Sequence, residues 1–88
     1  MVSEPPNDAH VLALNALAAT LADQRLAGRF LSLSGLTPPD LKQLAADPAF
    51  LANFLRFLEG HEPDLLEIAD RISVRPADLV IARNFLEP

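Results

Sequence analysis

From Asp8 to Leu86 the apolar residues recur three and four positions apart, the period of a helix buried along one side. No stretch alternates apolar and polar residues over the length of a strand, so strands are not expected. Proline cuts the helical pattern at Thr37-Pro38-Pro39-Asp40-Leu41, Asp47-Pro48-Ala49-Phe50-Leu51, Glu62-Pro63-Asp64-Leu65 and Arg75-Pro76-Ala77-Asp78-Leu79. Proline suits a first helical turn, where its missing N–H would have no partner and its φ is already set; deeper in a helix it breaks the ladder. Each of these four places predicts a helix start.

Asn7 or Asp8 caps a first helix running to about Ala22, with Val11, Leu14, Leu17, Ala18 and Leu21 on one face and Leu12, Ala16 and Ala19 on the other. Asp23 caps a second over 24–34, which turns Leu26, Phe30, Leu31 and Leu33 inward; Gly35 supplies its left-handed stop. Thr37 and Asp40 read as a capping box for a short third helix of about nine residues built on Leu41, Leu44 and Ala45. The fourth opens at Asp47-Pro48 and ends at Gly60. Its Phe50, Leu51, Phe54, Leu55, Phe57 and Leu58 mark it as the centre of the core. A fifth holds Leu65, Leu66, Ile68, Ala69 and Ile72, and a sixth holds Leu79, Val80, Ala82, Phe85 and Leu86. The prediction is an all-α fold, a compact bundle of five or six short helices packed around Phe30, Leu44, Phe54, Leu58, Ile68 and Phe85.

Composition narrows the function. A chain of 88 residues makes one domain, burying about 60–65% of its unfolded surface, so a large internal pocket is not expected. Residues 1–7, with two adjacent prolines and no Lys or Arg, read as a disordered lead rather than a secretory signal, and 8–88 as a single helical domain. The absence of cysteine fits a reducing cytoplasm. The longest nearly uncharged stretch, 9–22, falls short of the roughly 20 apolar residues of a bilayer span, so no membrane segment is expected. Twelve acids against seven bases give a net charge of −5, which disfavours nucleic acid and anionic lipid.

Candidate chemistry is sparse. His61, Glu62 and Asp64 lie close enough to suggest a weak ion site, yet zinc needs three or four converging ligands, and His61 follows a helix C-terminus that favours a cation. Ser32, Ser34 and Ser73 sit at helix ends without a nucleophile-elbow pattern, and acids such as Asp64 and Glu67 lie on helical spacing as solvated residues do. Gly28, Gly35 and Gly60 are isolated and form no phosphate loop. The chain is therefore expected to be no enzyme and to hold no cofactor or metal.

Two readings remain. Residues 65–84 resemble a helix-turn-helix, with Ala69 as the small residue, Ile68, Ile72 and Val74 around it, Ser73 where a turn glycine is common, and Leu79 and Ala82 as anchors. In that arrangement only Arg75 and Asn84 are suited to contact nucleic acid, while Asp78 repels phosphate. The favoured reading is a protein-interaction module or small regulator. Leu12, Ala16, Ala19, Val80 and Ile81 are its candidate contact residues, taking an unidentified protein or, through the first helix, a second copy.

The succession Gly28-Arg29-Phe30-Leu31, Gly35-Leu36-Thr37-Pro38, Asp47-Pro48-Ala49-Phe50-Leu51 and Val74-Arg75-Pro76 resembles an uncharacterised family of small alphaproteobacterial proteins, from Leu26 to the end of the chain. The resemblance implies a small cytoplasmic all-α protein and brings no catalytic residues with it.

Overall fold

Local capping chemistry sets the helix boundaries in the computed structural model, which describes residues 5–88. The helices are α1 (Pro5–Leu21), α2 (Gln24–Ser34), α3 (Pro38–Leu44), α4 (Pro48–Glu59), α5 (Glu62–Arg71) and α6 (Pro76–Leu86), with no strand among the described residues. Asp23 accepts the N–H groups of Arg25 and Leu26 at 2.9 and 3.1 Å, and Asp47 that of Ala49 at 3.0 Å. At α3 the capping box forms in both directions, Thr37 N–H to Asp40 Oδ2 at 2.9 Å and Asp40 N–H to Thr37 Oγ1 at 3.4 Å. Gly35 closes α2 at φ +73, where its N–H donates to the Leu31 carbonyl at 2.9 Å.

Two boundaries differ from expectation. α3 stops after seven residues. α1 begins at Pro5, ahead of the expected cap at Asn7 or Asp8, so residues 5–7 are helical; the rest of the expected lead, 1–4, lies outside the described residues. Paired prolines in a first turn explain the early start, since neither needs an N–H partner there.

α4 is the centre of the core, as its pattern predicts: Leu51, Phe54, Leu55 and Leu58 are fully enclosed. Around them lie Leu26 and Phe30 of α2, Leu41 of α3, Leu65, Ile68 and Ala69 of α5, and Leu79, Ala82 and Leu86 of α6. The expected core members Leu44 and Phe85 depart from this pattern. Leu44 is only half-buried at the end of a truncated helix, and Phe85 is 50% exposed because Leu79, Ala82 and Leu86 take the inward arc of α6. Leu33, expected inward, is 71% exposed at the end of α2.

α1 overturns its helical-wheel reading most clearly. Its buried stripe is Ala9, Ala13, Ala16, Leu17 and Thr20, while Val11 is 56% exposed. The largest interface of α1 is with α6, and the alanines on its inner side, with Ala82 on α6, allow the two backbones to approach closely. The buried Thr20 hydroxyl is satisfied within its own helix, donating to the Ala16 carbonyl at 2.8 Å.

Two outcomes follow. Ala16→Leu should overpack this contact and lower stability by about 1–3 kcal/mol in urea melts, whereas an Ala16 on a free surface would leave the midpoint unchanged. The capping carboxylates should also make the fold acid-sensitive. The N–H of Leu26 beside Asp23, the Thr37 N–H beside Asp40 and the Arg75 side chain beside Asp78 hold these carboxyls below the usual range. A depressed folded-state value gives stability that is complete above the unfolded range near pH 4 and is lost as pH falls through the folded values. The melting temperature should thus fall on acidification below about pH 4, and less steeply in Asp40→Asn. An identical fall in the variant would remove Asp40 from this account.

Candidate functional site

The first set of expected contact residues does not form one exposed face. Ala16 is fully enclosed, and Leu12 and Ala19 are half-buried against the core. Val80 is half-buried, leaving Ile81, at 49% exposed, as the open member of the five. The second face of α1 is consumed by the domain's own packing, in which α6 is the largest neighbour of α1. Among the described side chains of α1, those that face outward are Asp8, Val11, Asn15, Ala18 and Leu21.

Of the second set, Asn84 is exposed and Arg75 is engaged. The Arg75 backbone N–H donates to Asp78 Oδ2 at 3.0 Å, and its guanidinium Nη2 to Asp78 Oδ1 at 2.8 Å. That side-chain bond raises the pKa of Arg75 and lowers that of Asp78. Ser73, in the preceding turn, adopts φ +61, the left-handed conformation in which a glycine was the expected residue.

Arg75 is one case of a general pattern. Arg25, Arg29, Arg56, Arg71, Arg75 and Arg83 all pair with Asp23, Glu59, Asp64, Glu67, Asp78 or Glu87. The other six acids of the sequence against Lys42 make up the net charge of −5. Most of these pairs are exposed and screened by water, so they add little to stability. Their effect on function is larger, because each arginine already has a carboxylate counter-ion, which weakens the long-range pull on a polyanion such as DNA.

Asp64 is the exception to exposure. It is 1% exposed, receives Arg29 in a close ion pair, and has Arg25 Nη1 at 3.7 Å and His61 Nδ1 at 3.1 Å. Read from spacing alone it belongs with the solvated acids; the structure corrects this. The signal was available, since Asp64 shares the inward arc of α5 with Leu65 and Ile68, while Arg25 and Arg29 stand one turn apart on α2. Of the expected ion-site trio, Asp64 is drawn into pairing with the two arginines and with His61. Among the described residues no group of three His, Asp or Glu side chains is placed to hold a metal ion.

Arg29 leads from this anchor to the most distinctive surface. Its guanidinium carbon lies 5.4 Å from the centre of the Phe57 ring. Phe30 wedges between α2 and α4, with its ring 6.3, 5.3 and 5.0 Å from those of Phe50, Phe54 and Phe57. Beside this wedge runs an apolar groove of about 300 Å³ walled by Leu33, Leu36, Phe50 and Phe57. A depression of about 460 Å³ adjoins it, lined by Arg29, Arg56, Gly60 and His61 and sharing Leu33 and Phe57 with the groove. A separate apolar groove of about 410 Å³ lies between α1, α2 and α3, over Leu17, Leu31 and Leu41. Sequence reading missed the first surface because it placed Leu33 in the core.

Residues 6–88 match the family described as proteins of unknown function, DUF3572, and the chain belongs to that family. The resemblance drawn from Leu26 onward thus extends over nearly the whole chain. No curated protein and no solved structure matches it. No helix among the described residues is long and apolar enough to cross a membrane.

The Asp64 cluster can be tested by its asymmetry. Arg29→Met removes the closest counter-ion of an enclosed carboxylate and should cost about 3 kcal/mol, the low end for a broken buried pair because Arg25 and His61 remain beside it. Asp64→Asn leaves Arg29 and Arg25, 35% and 59% exposed at their side chains, free to meet water, and should cost about 1–2 kcal/mol. Urea midpoints in the reverse order would show that Asp64 is not the buried anchor of the pair.

Proposed function

We propose that this domain is a non-enzymatic protein-interaction module or small regulator, and that its contact surface is the groove between α2 and α4. The observation that carries the reading is Leu33. It is the most exposed large apolar side chain among the described residues, and it stands on the shared rim of the groove and the basic depression. Burying a leucine contributes about 1.5–3 kcal/mol, and this one is left to water beside an aromatic wall. An exposed apolar rim around a concave surface is the usual form of a docking site. A helix or extended segment of a partner protein fits such a groove between two helices.

The alternative, a helix-turn-helix that binds nucleic acid through Arg75 and Asn84, has less support. Arg75 is held by Asp78, and each of the other arginines has a carboxylate counter-ion in the chain, so the net field towards a polyanion is unfavourable. Phosphate attraction supplies most non-specific affinity for DNA. The expected cytoplasmic setting is retained as part of the proposal.

The test is capture from host lysate, with nuclease and at two salt concentrations, by the tagged protein and by two variants. Leu33→Ser should abolish capture without lowering the melting temperature, since Leu33 adds little to the core. Leu66→Ser, at another exposed apolar position, on α5 (49% exposed), should retain it. Capture that disappears with nuclease or with salt, and is indifferent to Leu33→Ser, would overturn the proposal in favour of the nucleic-acid reading.

A further inference from the structure

We infer that the α2–α4 groove receives a partner segment with apolar anchors followed, one helical turn on, by a carboxylate. The inference rests on the docking reading above and adds the chemistry of the occupant. Phe50 and Phe57 are two turns apart on α4, about 10 Å along the axis. Two anchors spaced at i and i+3 or i+4, about 5–6 Å apart, are accommodated within that length of aromatic wall beside Leu33. At Phe57 the surface changes character: Arg56 is its neighbour in α4, the Arg29 guanidinium carbon lies 5.4 Å from its ring centre, and His61 follows one turn on.

No carboxylate lines that end of the surface. The counter-ion of Arg29, Asp64, lies buried behind it, and Glu87, the counter-ion of Arg56, faces a neighbouring depression. Each guanidinium spends one Nη2 on its acid, and among the described residues its other N–H groups have no protein acceptor. An arginine fork with donors to spare matches a carboxylate. In a chain of net charge −5, this is where an acidic group meets donors rather than like charge. Such a contact fixes the direction in which the partner lies.

A second copy is a weaker occupant. It offers Ile81 and Phe85, one turn apart and half-exposed on α6. Seating α6 of one copy in the groove of another is a head-to-tail contact, which leaves a free groove and a free α6 at each end. It also brings together two molecules of charge −5.

The experiment is selection of a display library of random peptides, roughly a dozen residues long, against the full chain, with binding of the enriched peptides measured on wild type, Leu33→Ser, Arg56→Gln and Arg56→Glu. Enriched peptides should carry two apolar residues at i, i+3 or i, i+4 and Asp or Glu one turn on. Their affinity should be lost in Leu33→Ser and fall about tenfold or more in Arg56→Glu, with Arg56→Gln between. Peptides that lose binding in Leu33→Ser but lack acids, or bind Arg56→Glu as well as wild type, would overturn the acidic occupant and leave the groove standing. Peptides indifferent to Leu33→Ser would overturn both readings. Sedimentation as larger assemblies that dissociate in Leu33→Ser or in Ile81→Ser would replace the peptide with a second copy. Arg56 is 58% exposed at its side chain and outside the core, so an unchanged melt in both Arg56 variants separates lost binding from lost fold.

Discussion

Five of the six helices are 12 residues or shorter, too short to persist in water without tertiary support, so each depends on the apolar face it lays against its neighbours. The common surface is α4. Leu51, Phe54, Leu55 and Leu58 are fully enclosed by residues of the surrounding helices. The first and last helices close over that centre, and they do so through alanine. Small side chains on α1 and α6 exchange apolar area for close approach of the two backbones, which explains why the larger Val11 is left outside.

Charge is organised by the same economy of space. Six arginines are fixed to carboxylates of the same chain, and one of those carboxylates, Asp64, is buried where α2 meets α5. A buried carboxylate with two arginines and a histidine around it ties α2 to the start of α5. Arg29 then passes this constraint on, because it both binds Asp64 and covers Phe57. The rigid inner anchor thus sets the outer wall of the groove.

The groove itself is a by-product of one large side chain. Phe30 reaches three phenylalanines of α4 and holds α2 at a side chain's distance from it, so the space beside the ring is unfilled. Leu33, one turn after Phe30, is carried onto the rim instead of into the core. The proposed interaction surface therefore follows from packing rather than from any recognisable motif.

The helix boundaries were largely legible in the sequence, because caps are local: Asp23, Thr37 with Asp40, Asp47 and Gly35 each act within four residues of their own position. So was the central place of α4, whose apolar arc is wide enough to be buried whatever surrounds it. Which face of α1 turns inward was not legible. That depends on α6, which lies at the other end of the chain, and a periodic pattern cannot tell a close alanine contact from a free alanine stripe. The misplacement of Leu33 and Phe85 has the same cause, since each lies on an apolar arc broader than the core has room for. Asp64 was visible as an acid on an inward arc, but only the approach of Arg25 and Arg29 from α2 makes that position tenable. The sequence alone determined where the helices start and stop, because those signals are short-range. The tertiary structure decided which apolar residues are left to meet a partner, because burial is shared among helices distant along the chain.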